Sequence, residues 1–89
     1  MNIGSIHNYY ESLVGEYLLH ELPDEYAEDQ DFIEDVACLA LNRLPARYVR
    51  HDVDMAFFLT TDEREKMQNN VVESVTAAIA QVKSAAHAD

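Results

Sequence analysis

Residues 31 to 45 read Asp-Phe-Ile-Glu-Asp-Val-Ala-Cys-Leu-Ala-Leu-Asn-Arg-Leu-Pro, and the predicted fold is built around this stretch. Its apolar residues recur three and four positions apart, which places them on one face of an α-helix. We expect Asp31 to be the N-cap, because Glu34 can return a hydrogen bond as in a capping box. The helix must end at or before Leu44, since a proline follows. A helix with so wide an apolar face is expected to be central to its fold.

Two further helices flank the central one. The first is expected to run from a Ser5 N-cap to about Glu21, because a proline two residues later cannot continue it. The last is expected to run from about Asp62 to about Ala86, after a capping signal that begins at Thr60. Its apolar residues form a narrow stripe, which suits a helix that lies across a surface or against a second copy of the chain.

Between the central and last helices the pattern is less regular. The segment Val53–Leu59 is apolar with an ambiguous period, and we expect a short buried helix capped near Asp52. Tyr48 and Val49 could pair as a short strand. Two glycines and two prolines are too few for the tight turns of a strand-rich fold. The sequence therefore predicts one all-α domain over residues 1–89, a small helical domain of four to five helices.

The overall charge restricts the possible partners and the location. A formal net charge of −11 on 89 residues repels nucleic-acid backbones and anionic membranes, so we expect no direct DNA binding and no membrane partner. No apolar run approaches the roughly 20 residues of a membrane span, and the N-terminus does not read as a signal peptide. A single cysteine suits a reducing compartment. We expect a cytoplasmic protein.

Positive charge is concentrated in residues 42–51, which we call the arginine segment. It contains three of the six basic side chains, with no acid between them: Arg43, Arg47 and Arg50. Arginine binds phosphate or carboxylate through two parallel hydrogen bonds, and Tyr48 beside them can stack on a base. Two interpretations stay open. The arginines bind a small anionic ligand, or they pair with the eight acids of residues 21–35 and hold helices together.

The sequence offers no catalytic or metal-binding motif. Glu16 and His20 lie one helical turn apart, but two ligands do not make a metal site. Cys38 lies within an apolar helical run, where a cysteine is usually a small buried hydrophobe and not a nucleophile. We therefore expect no catalytic residues, no metal and no cofactor. A regulatory binding module is favoured over an enzyme.

The run from Asp35 to Val49, DVACLALNRLPARYV, resembles the signature of the ComFB family, named for late competence development. Members typically show Asp-Val-x-x-Leu-Ala-Leu-Asn-x-Leu-Pro-Pro-x-Tyr-Val. The opening Asn-Tyr-Tyr-Glu-x-x-Val at residues 8–14 is similar to the first helix of that family. The resemblance covers roughly residues 5 to 85, nearly the whole chain.

The resemblance implies a small helical homodimer encoded in bacteria. The family is associated with competence, motility and surface behaviour, and its members are described as receptors for cyclic dinucleotides, chiefly cyclic di-GMP. Side-chain chemistry then assigns the roles. The candidate ligand-binding residues are Arg43, Arg47 and Arg50 as phosphate or guanine contacts, Tyr48 as a stacking platform, and Asn42.

Two positions depart from the family pattern. Some relatives carry several cysteines before the Asp-Val motif, whereas Ala27, Asp29 and Phe32 lie in that region here, so no zinc is expected. Ala46 replaces the second proline, which loosens the turn.

Two functions remain in competition. In the first, a cyclic dinucleotide receptor changes its contacts with an unidentified regulatory protein. In the second, a dimeric adaptor binds another protein through its acidic face or the arginine segment, without a nucleotide.

Overall fold

The computed structural model describes residues 1–86 and is built mainly of helices. In chain order the elements are β1 (His7–Asn8), α1 (Tyr9–Glu21), a 3-10 helix (Asp24–Tyr26), α2 (Gln30–Asn42), β2 (Tyr48–Val49), α3 (Asp52–Phe58) and α4 (Thr61–Ala86). The predicted all-α class is confirmed. The possible strand at Tyr48–Val49 is present as β2, and it pairs with β1 in a two-residue antiparallel ladder.

The core lies where α1 and α2 pack against the long helix α4. Each helix contributes one stripe of buried side chains: Tyr10, Val14 and Leu18 from α1; Phe32, Val36 and Ala40 from α2; Met67, Val71, Val75 and Ala78 from α4. Leu44 and Met55 complete it from the segments that follow α2. Burying one valine-sized side chain stabilises a fold by about 1.5–3 kcal/mol, so these stripes supply most of the stability.

The first helix begins later than predicted. Its N-cap is Asn8 and not Ser5, because the Asn8 side chain accepts a hydrogen bond from the backbone N–H of Tyr10 (3.2 Å). The Asn8 N–H in turn donates to the Glu11 carboxylate (3.1 Å), which completes a capping box. The prediction was wrong because residues 7 and 8 are extended, with His7 opposite Val49 in the ladder.

The N-cap of α2 is also displaced, from Asp31 to Asp29. The Asp29 carboxylate accepts the backbone N–H of Phe32 at 3.0 Å. Asp31 instead lies in the first turn, where its negative charge interacts favourably with the positive end of the helix dipole. The Phe32 ring stacks on Tyr26 of the 3-10 helix, with ring centroids 3.8 Å apart. This stack fixes the connection between α1 and α2.

The predicted helix over Val53–Leu59 exists, but its burial was predicted wrongly. Met55 is buried, whereas Phe57 and Phe58 are 79% and 77% exposed. A helix of seven residues has two turns, and α3 turns one narrow face to the core at Met55. The half-buried Leu59 follows as the C-cap of α3. The two phenylalanines lie on the remaining surface, where residues 1–86 leave them uncovered.

Cys38 is exposed, which corrects the prediction of a buried thiol. The buried stripe of α2 repeats every four residues through Val36 and Ala40. Cys38 lies two residues from each of them and therefore on the opposite face of the helix.

Candidate anion-binding site

The backbone of the arginine segment is fixed at several points. Leu44 is buried in the core at its beginning. At its centre the backbone N–H of Arg47 donates to the Asn8 side chain (3.0 Å), and its carbonyl accepts from the N–H of Tyr9 (2.7 Å). One asparagine therefore both caps α1 and holds the arginine segment against it.

A second link joins β1 to the start of α3. Nε2 of His7 lies 2.5 Å from Oδ1 of Asp52, and the Ser12 hydroxyl donates to Oδ2 of the same carboxylate (3.1 Å). The hydrogen bond to Asp52 raises the pKa of His7 above its usual value, while the hydrogen bond from His7 lowers the pKa of Asp52. The charged forms of both groups are thus favoured at this junction.

The predicted ligand-binding side chains are all available to solvent. Arg43 follows α2 as its C-cap, Arg47 lies in the connection, and Arg50 follows β2; all three are exposed. Tyr48 is 68% exposed. The Asn42 amide donates to Cys38 Sγ at 3.8 Å.

Of the two open interpretations of these arginines, the ion pairs within residues 1–86 do not support pairing with the acidic stretch. Residues 1–86 contain two ion pairs within 4.0 Å, His7–Asp52 and Lys83–Glu25 (3.9 Å), and neither involves an arginine. All eight acids of residues 21–35 are exposed. The guanidinium groups therefore keep their capacity to meet an incoming anion.

Arg47 lines a shallow cleft of about 200 Å³ between the arginine segment and α4. Lys66 contributes a second positive charge to this cleft, and Glu63 one negative charge. The other lining residues are Tyr10, Pro45, Leu59, Met67 and Asn70. The Asn70 amide donates to the Tyr10 hydroxyl (3.4 Å), which leaves the phenol at the cleft wall.

The structure therefore brings Arg47 together with Lys66, and not with all the residues predicted for the site. Within the described chain, Arg43, Tyr48, Arg50 and Asn42 do not line this cleft. Sequence reasoning missed Lys66, because it follows the run Asp-Glu-Arg-Glu at residues 62–65 and resembles a solvated helix face. The signal that could have identified Lys66 is its position in α4, because it directly precedes Met67, which is buried.

Two cations of this kind bind phosphate or carboxylate groups. The cleft is small and suits one such group, while the exposed Tyr48 ring offers a face on which a base can stack.

The family model described as late competence development protein ComFB matches residues 7–86. The chain belongs to the ComFB family. The match runs from β1 to the end of α4 and includes every element that shapes the cleft. Neither the curated proteins nor the solved structures contain a significant match to this ComFB-family chain. Family membership indicates a competence-related regulatory protein.

None of the helices within residues 1–86 has the length and apolar character required to traverse a bilayer.

Proposed function

We propose that this ComFB-family protein is a non-enzymatic receptor for a cyclic dinucleotide, with cyclic di-GMP as the first candidate. The observation that carries the proposal is the pair Arg47 and Lys66 at one cleft, with the arginine free of carboxylates within 4.0 Å in residues 1–86. The loaded receptor would pass its signal to a regulatory protein in the cytoplasm.

Electrostatics favours a local site of this kind. A chain of net charge −11 repels phosphates on average, so binding requires cations gathered at one place. Arg47 is presented from a backbone that is hydrogen-bonded on both sides, which reduces the entropy lost when a ligand is bound. Tyr48 follows it directly and adds stacking for a guanine.

We also propose that the receptor is a homodimer. A cyclic dinucleotide carries two phosphates, and two copies of the chain would supply two clefts. The exposed Val53, Phe57 and Phe58 of α3 follow the arginine segment directly and form apolar surface that a second copy can cover. Sedimentation of the wild-type protein at micromolar concentration should give twice the protomer mass. The variant Phe57→Ser should give the mass of one protomer. A wild-type protomer mass would contradict the dimer.

Calorimetric titration with cyclic di-GMP tests the receptor. We expect Arg47→Ala to weaken binding at least tenfold, because a charge-assisted hydrogen bond contributes about 1.5–3 kcal/mol. Lys66→Ala should have a similar effect. Binding should also weaken with added salt, which screens exposed charges.

Arg64→Ala is the matched control for these two variants. It removes the same charge from α4, but the Arg64 guanidinium donates to the backbone carbonyl of Ala56 (3.3 Å) and does not line the cleft of the described chain. It should bind as the wild type does. No heat of binding at millimolar ligand, or equal loss in all three variants, would contradict the proposal.

A dimeric adaptor without a nucleotide remains the second candidate. An open apolar groove between α1 and α2, about 450 Å³ in volume, favours it. Partner binding that persists in Arg47→Ala and in the absence of nucleotide would support the adaptor over the receptor.

A further inference from the structure

The groove between α1 and α2 is a mainly apolar depression of about 450 Å³ on the described surface. Its walls include Leu19 from α1, Leu22 at the C-cap of α1, and Ile33 and Ala37 from α2. Leu19 is 80% exposed, although large aliphatic side chains are usually buried. Apolar surface of this shape is typical of a binding site for another protein.

Gly15 lines this groove, in the middle of α1. Glycine weakens a helix interior relative to alanine, so its presence calls for a reason. The fold of residues 1–86 provides none, because Gly15 has no positive φ and an added Cβ would meet nothing within 4 Å. A partner backbone that comes close to α1 at this point would supply the reason.

The charge around the groove is strongly negative. Residues 9–42 contain ten carboxylates and neither lysine nor arginine. Asp24 lines the groove itself, and the exposed Glu16 and Glu34 lie within one helical turn of its apolar walls. From α4, Lys83 approaches this region and pairs with Glu25 at 3.9 Å.

We infer that the α1–α2 groove docks a basic amphipathic helix of another protein, with its apolar face on Leu19 and Ile33 and its lysines or arginines on the acidic rim. Two walls provided by helices suit a third helix, which packs its side chains between theirs. Negative charge on both sides selects positive charge in the partner. The inference goes beyond the receptor function and does not depend on it, since the groove lining within the described chain includes no residue of the arginine segment.

A fluorescent synthetic peptide of about five helical turns is a suitable probe. It carries leucines at positions i, i+3, i+4 and i+7 with lysines on both flanks, and its binding is followed by anisotropy. The control peptide has the same composition in a scrambled order that forms no apolar face. We expect the wild-type protein to bind the amphipathic peptide at least tenfold more tightly than the scrambled one.

Two variants separate docking from folding. Leu19→Gln should weaken peptide binding about tenfold, because one buried leucine contact is lost. Gly15→Ala should also weaken it, about fivefold or more, since the added methyl group holds the peptide away from α1. The same substitution should raise the thermal unfolding midpoint, because alanine favours the helix. A variant that folds better and binds worse identifies the groove at Gly15 as a contact surface.

Phe57→Gln and Arg47→Ala are the controls on the protein side. Phe57→Gln removes an equally exposed apolar side chain from α3 and should leave peptide binding unchanged. Arg47→Ala should also bind the peptide normally, so failure of nucleotide binding and failure of the groove are read from different variants. Equal affinity for both peptides, or unchanged binding in Gly15→Ala, would overturn the inference. So would dissociation of a dimer by Gly15→Ala, since the groove would then be occupied by a second copy.

Discussion

The contact between α2 and α4 differs sharply from residues 42–58, which contain the arginine segment and α3. In the contact, Val36, Ala40 and Val71 are fully buried against one another's helices. In residues 42–58 the buried side chains are Leu44 and Met55. The rest of that region is positioned by hydrogen bonds to β1, α1 and α4. The comparison indicates that side-chain packing stabilises the three helices α1, α2 and α4, which we call the frame. Hydrogen bonds then hold the candidate site against this frame.

A region held in this way opens more easily than the frame. Local opening costs less free energy where few apolar contacts must break. Amide hydrogens of α3 should therefore exchange through local opening, while those of α2 and α4 exchange near the global unfolding limit. Such a difference suits a ligand-binding segment, which must adjust when the ligand arrives.

The largest expected effect compares two phenylalanines, one on each side of this contrast. Phe32→Ala removes a buried ring that stacks on Tyr26 and should lower the free energy of unfolding by about 3–5 kcal/mol. Phe57→Ala removes an exposed ring and should change it by less than about 0.5 kcal/mol. Urea unfolding followed by circular dichroism measures both, at low protein concentration so that self-association contributes least.

Equal losses in the two phenylalanine variants would break the comparison. They would show that α3 is packed as firmly as the frame.

The second prediction concerns the asparagine that links the two regions. Asn8→Ala removes the cap of α1 and the acceptor for the Arg47 N–H, so stability should fall by about 1–2 kcal/mol. The exchange of the Arg47 amide hydrogen should accelerate by more than that of α4 amides. Ser5→Ala is the matched control and should have little effect, because Ser5 does not cap the helix. If Ser5→Ala lost more stability than Asn8→Ala, the N-cap of α1 would be Ser5, as the sequence predicted.

The smallest expected effect is the pH dependence of the link between β1 and α3. The hydrogen bond to Asp52 raises the pKa of His7, so its stabilising contribution is complete below the unfolded value of about 6.5. It is lost as the pH rises through the raised folded value. The pKa of Asp52 is lowered, so the stabilising contribution of its carboxylate is lost only at acid pH, as the pH falls through the lowered pKa.

Thermal unfolding of wild type and His7→Gln between about pH 5.5 and 8.5 tests this. The advantage of wild type should shrink as the pH rises. An advantage that stays constant or grows would show that His7 charge does not support the junction.

The frame was predicted well from the sequence, because the spacing of apolar residues and the capping residues both indicate where helices lie. The stop of α1 at Glu21, the end of α2 before the proline and the range of α4 were all confirmed within one or two residues. N-caps were harder. Asp29 and Asp31 are equally suitable by type, and the difference between them depends on where the Tyr26–Phe32 stack places the chain.

The candidate site was less predictable, because it depends on contacts between distant residues. Asn8 and Arg47 are 39 positions apart, and no local pattern joins them. Lys66 and Arg47 line the same cleft only because α4 lies beside the centre of the arginine segment. The apolar pattern did not predict that Phe57 and Phe58 would remain exposed. A short apolar run has the same sequence pattern whether or not another element covers it.

The solvent-facing thiol of Cys38 has a practical consequence. It is the one cysteine of the chain, so a nitroxide spin label can be attached there without removing any other residue. In a symmetric pair of chains the two labels would define a single distance. Electron–electron dipolar spectroscopy would then report directly how the two copies are arranged and whether a nucleotide changes that arrangement.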